Sequence, residues 1–257
     1  MEILVCFKQV PDDSVEIGMD ASTGKPDLKG ADPQGNAFDT YALEMAARYT
    51  EEHGGTVTAC TVGTEDDKVC LKNALAVGAK KAYLVTGTDA ETQDADQVAS
   101  VLAAAIPKME EANGAKFDLI LCGRESTDNI GGQVGELLAQ KFPYPFVTNI
   151  VAVDPKDDGA TMKKELDEGY QVLELPLPAV ATVSKPNYDP RYPTIKNKLA
   201  ARRMQIPEIA AEPADAKVEY LAFSEPPKRQ AGVKIQDDDD EVAVKQAMEI
   251  LISDKVL

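Results

Sequence analysis

The chain has 257 residues, 44% of them hydrophobic and 28% charged, so it can bury one sizeable core and is too apolar to be disordered. Its 27 basic and 44 acidic side chains leave a net charge of −17, the wrong sign for a free-standing nucleic-acid binder and unfavourable for contact with anionic membranes. No run approaches the roughly 20 apolar residues of a membrane span. The first apolar run, residues 3–7, is too short for a signal-peptide core, so no membrane insertion and a cytoplasmic location are expected.

In chain order, apolar runs alternate with segments of helical period. Residues 3–10 read as a buried strand, and 10–36 as a polar loop or small hairpin. Phe38, Tyr41, Ala42, Met45, Ala46 and Tyr49 recur at helical spacing, with Asn36 or Asp39 as the cap and Gly54-Gly55 as the stop. Strand 56–62, helix 65–77, strand 81–85, helix 97–109, strand 117–122 and helix 132–141 follow. Such alternation predicts an α/β fold with a mainly parallel, doubly wound sheet. From Val147 the pattern changes to strands 147–153, 162–166, 170–175 and 179–183, expected as hairpins added at the sheet edge.

Residues 185–203 reverse the sign of the charge, with six basic side chains against the single acid Asp189, and read either as a solvated face or as an interaction surface. Residues 206–257 read as an extended arm that ends in a helix over 241–254, expected to pack on a partner subunit, with packing back on its own domain as the alternative; residues 1–205 form the α/β domain. Cys6, Cys60, Cys70 and Cys122 sit in apolar runs without a Cys-x-x-Cys pair, as small buried hydrophobes do. His53 is the only histidine and stands at a helix end, which leaves no histidine metal site or Ser-His-Asp triad.

Open parallel sheets bind ligands beyond the carboxyl ends of their strands. Four such places are Cys6-Phe7-Lys8-Gln9, the approach Asn36-Ala37-Phe38-Asp39, Val62-Gly63, and the segment Gly123-Arg124-Glu125-Ser126-Thr127-Asp128-Asn129-Ile130-Gly131-Gly132-Gln133-Val134-Gly135. The last follows a strand and opens a helix. Its glycines let backbone amides approach a phosphate, and Ser126, Asn129 and Gln133 add neutral donors. It matches neither the Walker loop nor G-x-G-x-x-G. A plain strand-to-helix turn is the competing reading. With no paired-carboxylate, nucleophile-elbow or metal-ligand pattern, a cofactor that carries the chemistry fits better than side-chain catalysis, and no catalytic or metal-binding residue is assigned.

Several segments together resemble the β subunit of electron-transfer flavoproteins. They are "VCFKQVPDD", "NAFDTYALEMA", "TVGTEDDKVCLKNALAVGAKKAYLV", "DLILCGRESTDNIGGQVG", "LPLPAVATV" and "DPRYPTIKNKLAARRMQI". The resemblance covers nearly the whole chain. It departs from the family pattern at Ala37, which replaces a proline, and at Glu125-Ser126-Thr127, which replaces Gln-Ala-Ile. It implies an adenine nucleotide α-hydrolase-like fold and a nucleotide held by Cys6, Asn36–Asp39, Val62-Gly63 and 123–134. The nucleotide is FAD in the NADH-oxidising, electron-bifurcating branch and AMP in the ordinary one; the opening segment, the Gly-Arg loop start and the acidic run before the last helix favour FAD, whereas "DPRYPTI" resembles the ordinary branch. The implied partners are an α subunit with its own FAD, a flavin-dependent dehydrogenase for acyl-CoA or 2-hydroxy acids, and ferredoxin or flavodoxin. A nucleotide-binding signalling module without a redox role shares the architecture, and an ATP-dependent ligase lacks its usual loop here.

Overall fold

In the computed structural model, residues 1–86, 94–212, 214–228 and 231–256 are described. The chain forms two compact units, Met1–Ala222 and Phe223–Leu257. The first opens with β1 (Glu2–Cys6), then β2 (Gln9–Pro11), β3 (Met19–Asp20), β4 (Lys25–Pro26) and β5 (Pro33–Gly35). There follow α1 (Ala37–His53), β6 (Thr56–Val62), α2 (Lys68–Val77), β7 (Lys81–Thr86), α3 (Ala95–Asn113), β8 (Leu119–Gly123) and α4 (Val134–Gln140). Next are β9 (Phe146–Lys156), β10 (Gly159–Leu166), β11 (Gly169–Leu175), β12 (Ala179–Val183), α5 (Ile195–Arg203) and β13 (Glu208–Ala210). The second unit contains α6 (Asp240–Ser253).

Nine strands form one sheet in the order β11-β10-β9-β12-β8-β1-β6-β7-β13. From β9 across to β13 the pairings are parallel, whereas β9-β10-β11 is an antiparallel meander at one edge. The fold class is the one the sequence predicts. The central strands are mainly apolar, with small threonines in β6 and β12, because helices cover both faces. Ile3 and Val5 of β1 point into a core with α1 and α2, while Leu4 and Cys6 point into another with α3 and α4. The chain runs β1, β6, β7 to one side of β1 and then crosses to β8 on the other. The crevice between the carboxyl ends of β1 and β8 is therefore the topological switch point, the usual ligand position in open α/β sheets.

The structure departs from the sequence reading in several places. The expected strand over 3–10 breaks after Cys6: β2 leaves the sheet and pairs with β5 in a separate ribbon, so Phe7 and Lys8 lie at the carboxyl edge. The strand expected over 179–183 is not an edge hairpin. As β12 it lies buried and parallel between β8 and β9, as its unbroken small apolar sequence allows. Helix α5 rises inside the basic block, capped by Thr194, whose hydroxyl oxygen accepts the Asn197 N–H at 3.1 Å. The segment after Pro207 is bonded into the first unit: β13 extends the sheet beside β7, and the Asp94 carboxylate accepts the Val218 N–H at 2.9 Å. Among the described residues, no helix is long and apolar enough to cross a membrane.

Candidate nucleotide crevice

The crevice is assembled around the first turn of α1. Asp39 is 6% exposed, and its carboxylate accepts the Lys8 N–H beyond β1 and the Gly123 N–H at the end of β8, each at 2.8 Å. One buried group thus ties together the two strand ends that flank the switch point. Burial raises the Asp39 carboxyl to about 6, against the pull of those amides and the nearby Lys8 charge. Gly123 must be glycine: a Cβ there would lie 2.8 Å from the Asp39 backbone nitrogen, so β8 and α1 could not meet.

Asn36, 1% exposed, extends the brace into the loop after β8. Its Nδ2 donates to the Glu125 carbonyl at 2.8 Å, and its Oδ1 accepts the Thr127 N–H at 3.1 Å. Phe38 lies under Arg124, whose guanidinium carbon is 4.7 Å from the ring centroid, and Arg124 pairs with Glu125 at 2.9 Å. Ala37 lines a cleft of about 300 Å³ with Gln34, Tyr41, Thr127 and Pro190. Cys6 ends β1 and Cys122 is the last residue but one of β8, with Cys60 on the strand beside Cys6; the Cys60 thiol donates toward the Cys6 sulfur at 4.0 Å. All four cysteines are free and buried. The Cys6 sulfur and burial hold the Cys122 thiol well above its ordinary value, and burial pushes the Cys70 thiol to about 12. Val62 and Gly63 sit at the end of β6, one strand further from the switch point.

Within the loop, the Ile130 N–H donates to the Ser126 carbonyl at 2.8 Å. Ile130 has φ +57°, an uncommon conformation for a β-branched residue, and its side chain is 68% exposed. Gly132 follows at φ +59°, and the Asn129 side chain folds against Gly131. Gln133 precedes α4, which begins two residues later than the sequence predicts and is only 7 residues long. So short a helix brings little dipole, and the positive charge for an anion has to come from side chains. Lys8, within the strand end Cys6–Gln9, supplies one: its Nζ lies 2.6 Å and 2.8 Å from the two carboxylate oxygens of Asp128. The legible signal was a lysine just past the apolar run of β1.

The donors at the crevice are of the kind that suits a phosphate-bearing ligand. The Thr127 hydroxyl oxygen is buried without a hydrogen-bond partner, a state that costs stability unless a ligand or water satisfies it. Two glycines and a lysine stand in the same loop region, so backbone amides and one cation can reach a phosphate.

Sheet order, the glycine-bearing loop at the switch point and the braced strand ends define the class: an open, doubly wound α/β protein with a crevice between the ends of β1 and β8. Residues 29–214 match the family described as Electron transfer flavoprotein domain, and the chain belongs to that family. Electron transfer flavoprotein subunit beta of Megasphaera elsdenii is 32% identical over 271 residues, covering 100% of both chains. The subunit of the same name from Thermoanaerobacterium thermosaccharolyticum is 36% identical over 196 residues, 76% of this chain and 73% of its own. Caffeyl-CoA reductase-Etf complex subunit CarD of Acetobacterium woodii is 33% identical over 240 residues, 89% of each chain.

Proposed function

We propose that the chain is the β subunit of an electron-bifurcating electron transfer flavoprotein and that its crevice holds FAD. The observation that carries the reading is the loop 123–134 at the switch point, fixed from below by Asn36 and Asp39, with the unpartnered Thr127 hydroxyl in it. The resemblance to a subunit of a caffeyl-CoA reductase complex supports the bifurcating branch. The chemistry a bound FAD supplies there is acceptance of a hydride from NADH and release of single electrons, one to ferredoxin or flavodoxin and one through the α-subunit FAD to a flavin-dependent dehydrogenase.

The residues of this chain bind and orient. Asp39 sets the spacing of the two strand ends, Asn36 sets the path of the loop, and Gly131-Gly132 let its backbone come close to the phosphates. Asn129, Ser126 and Gln133 offer neutral hydrogen bonds, and Cys6, Val62 and Gly63 form the apolar side toward β6. Co-expression with the α subunit followed by acid extraction tests the reading. Two FAD per heterodimer are expected. One FAD and one AMP would make the chain an ordinary electron-transfer β subunit, and neither nucleotide in this chain's share would end the proposal.

A further inference from the structure

We propose that Lys8 is the phosphate-binding cation of the crevice and that Asp128 occupies it until the nucleotide arrives. This rests on the nucleotide reading above and adds a residue and an exchange step to it. The backbone of Lys8 is fixed on both sides: its N–H donates to Asp39 at 2.8 Å, and its carbonyl accepts the Asn36 N–H at 2.9 Å. Its side chain is 41% exposed and reaches across the crevice from β1 to the loop after β8, where the 25% exposed Asp128 carboxylate receives it with both oxygens. A rigid base with a mobile, solvent-reachable ammonium is suited to exchanging one oxyanion for another.

The local charges require such an exchange. Besides Lys8, the loop offers one cation, Arg124, already paired with Glu125 at 2.9 Å and laid over Phe38. Residues 123–134 carry Arg124 against Glu125 and Asp128, so without Lys8 the loop is net negative and would repel a phosphate. The seven-residue α4 cannot offset that. The buried, unpartnered Thr127 hydroxyl is next to Asp128 in the chain and marks the same stretch as missing a partner. When the adenylate phosphate enters, Lys8 Nζ leaves Asp128 for the phosphate oxygens, and the Asp128 carboxylate turns to solvent. Asp128 thereby acts as an internal competitor that lowers the affinity.

This exchange predicts effects of opposite sign from the two halves of one ion pair. In the complex with the α subunit, depleted of nucleotide by dialysis, the affinities for FAD, AMP and adenosine are measured by calorimetry. Lys8→Met should weaken AMP and FAD about tenfold or more, as expected for loss of a charge-assisted contact, and leave adenosine, which lacks the phosphate, unchanged. Asp128→Asn should tighten AMP and FAD several-fold and also leave adenosine unchanged. If the pair only braces the loop, both variants weaken all three ligands together, and that result overturns the proposal. So does an unchanged AMP affinity in Lys8→Met. A wild-type complex that binds AMP or FAD normally while the variants fail these expectations sinks the exchange and spares the nucleotide site. A wild-type chain that takes up neither ligand overturns both.

Discussion

The chain fastens two of its loops with ionic contacts of opposite construction. The loop after β12 is clamped to α1 by Arg191, whose guanidinium reaches Glu44 at 2.8 Å and Glu51 at 2.9 Å. Glu44 has a fully buried side chain and also pairs with Arg48, which lies 4.0 Å over the Tyr188 ring. Burial works against ionisation of Glu44, yet Arg191 and Arg48 hold its carboxyl below the usual range, and burial raises the Tyr188 phenol to about 12. In the loop after β8, beside the hydrogen bonds with Asn36 and Asp39, the ionic contact to the rest of the chain is a partly exposed pair, Lys8 with Asp128. A dry carboxylate shared by two guanidiniums has no alternative partner, so its loop stays in place. A wet pair can be traded for another anion at little cost.

Removing the buried clamp should have the largest effect. Arg191→Ala leaves Glu44 without its main partner and is expected to cost on the order of 3–5 kcal/mol in urea unfolding; a loss under about 1 kcal/mol would erase the contrast between the two loops. Asp39 comes next and is read through pH. Its folded value of about 6 lies above the ordinary 3.8, so its contribution to stability is present in full below pH 3.8 and is lost as pH rises through 6. Relative to Asp39→Asn, the wild type should lose roughly 2 kcal/mol between pH 4 and pH 7, and a difference independent of pH would contradict the burial. Gly123→Ala forces β8 away from α1 and should cost about 1–3 kcal/mol, together with nucleotide affinity. Asp128→Asn should change stability by less than about 1 kcal/mol. Added salt should abolish that small difference while leaving the Arg191→Ala loss nearly unchanged, which a pair of melts at low and high ionic strength would show.

Much of this architecture is legible in the sequence because the parallel core consists of apolar runs with helices of regular period between them. The loop 123–134 and the Asn36–Asp39 turn stand out for the same reason: glycine and small polar residues interrupt the pattern at strand ends. What escaped has a physical cause in each case. Periodicity does not show where a strand leaves a sheet, so residues 3–10 read as one strand although β1 and β2 divide them. The three residues of β13 are too few to carry a period, and α5 has mostly charged and exposed residues, with Leu199 52% and Ile195 80% exposed. Arg191 and Glu44 are 147 positions apart, a pairing no local pattern contains. The hold of the Asp39 oxygens on two backbone amides joins residues far apart in the chain, and only the folded geometry reveals that duty.

The burial of all four thiols has a practical consequence for following the molecule at work. A maleimide dye or nitroxide label finds no ready native target, since each sulfur is enclosed and the Cys6, Cys70 and Cys122 thiols are held in their protonated form. A cysteine placed at Tyr192, a position 94% exposed at the foot of the basic helix, would then be the one reactive handle on the chain. Spectroscopic rulers could be mounted there without first stripping the native cysteines from the core.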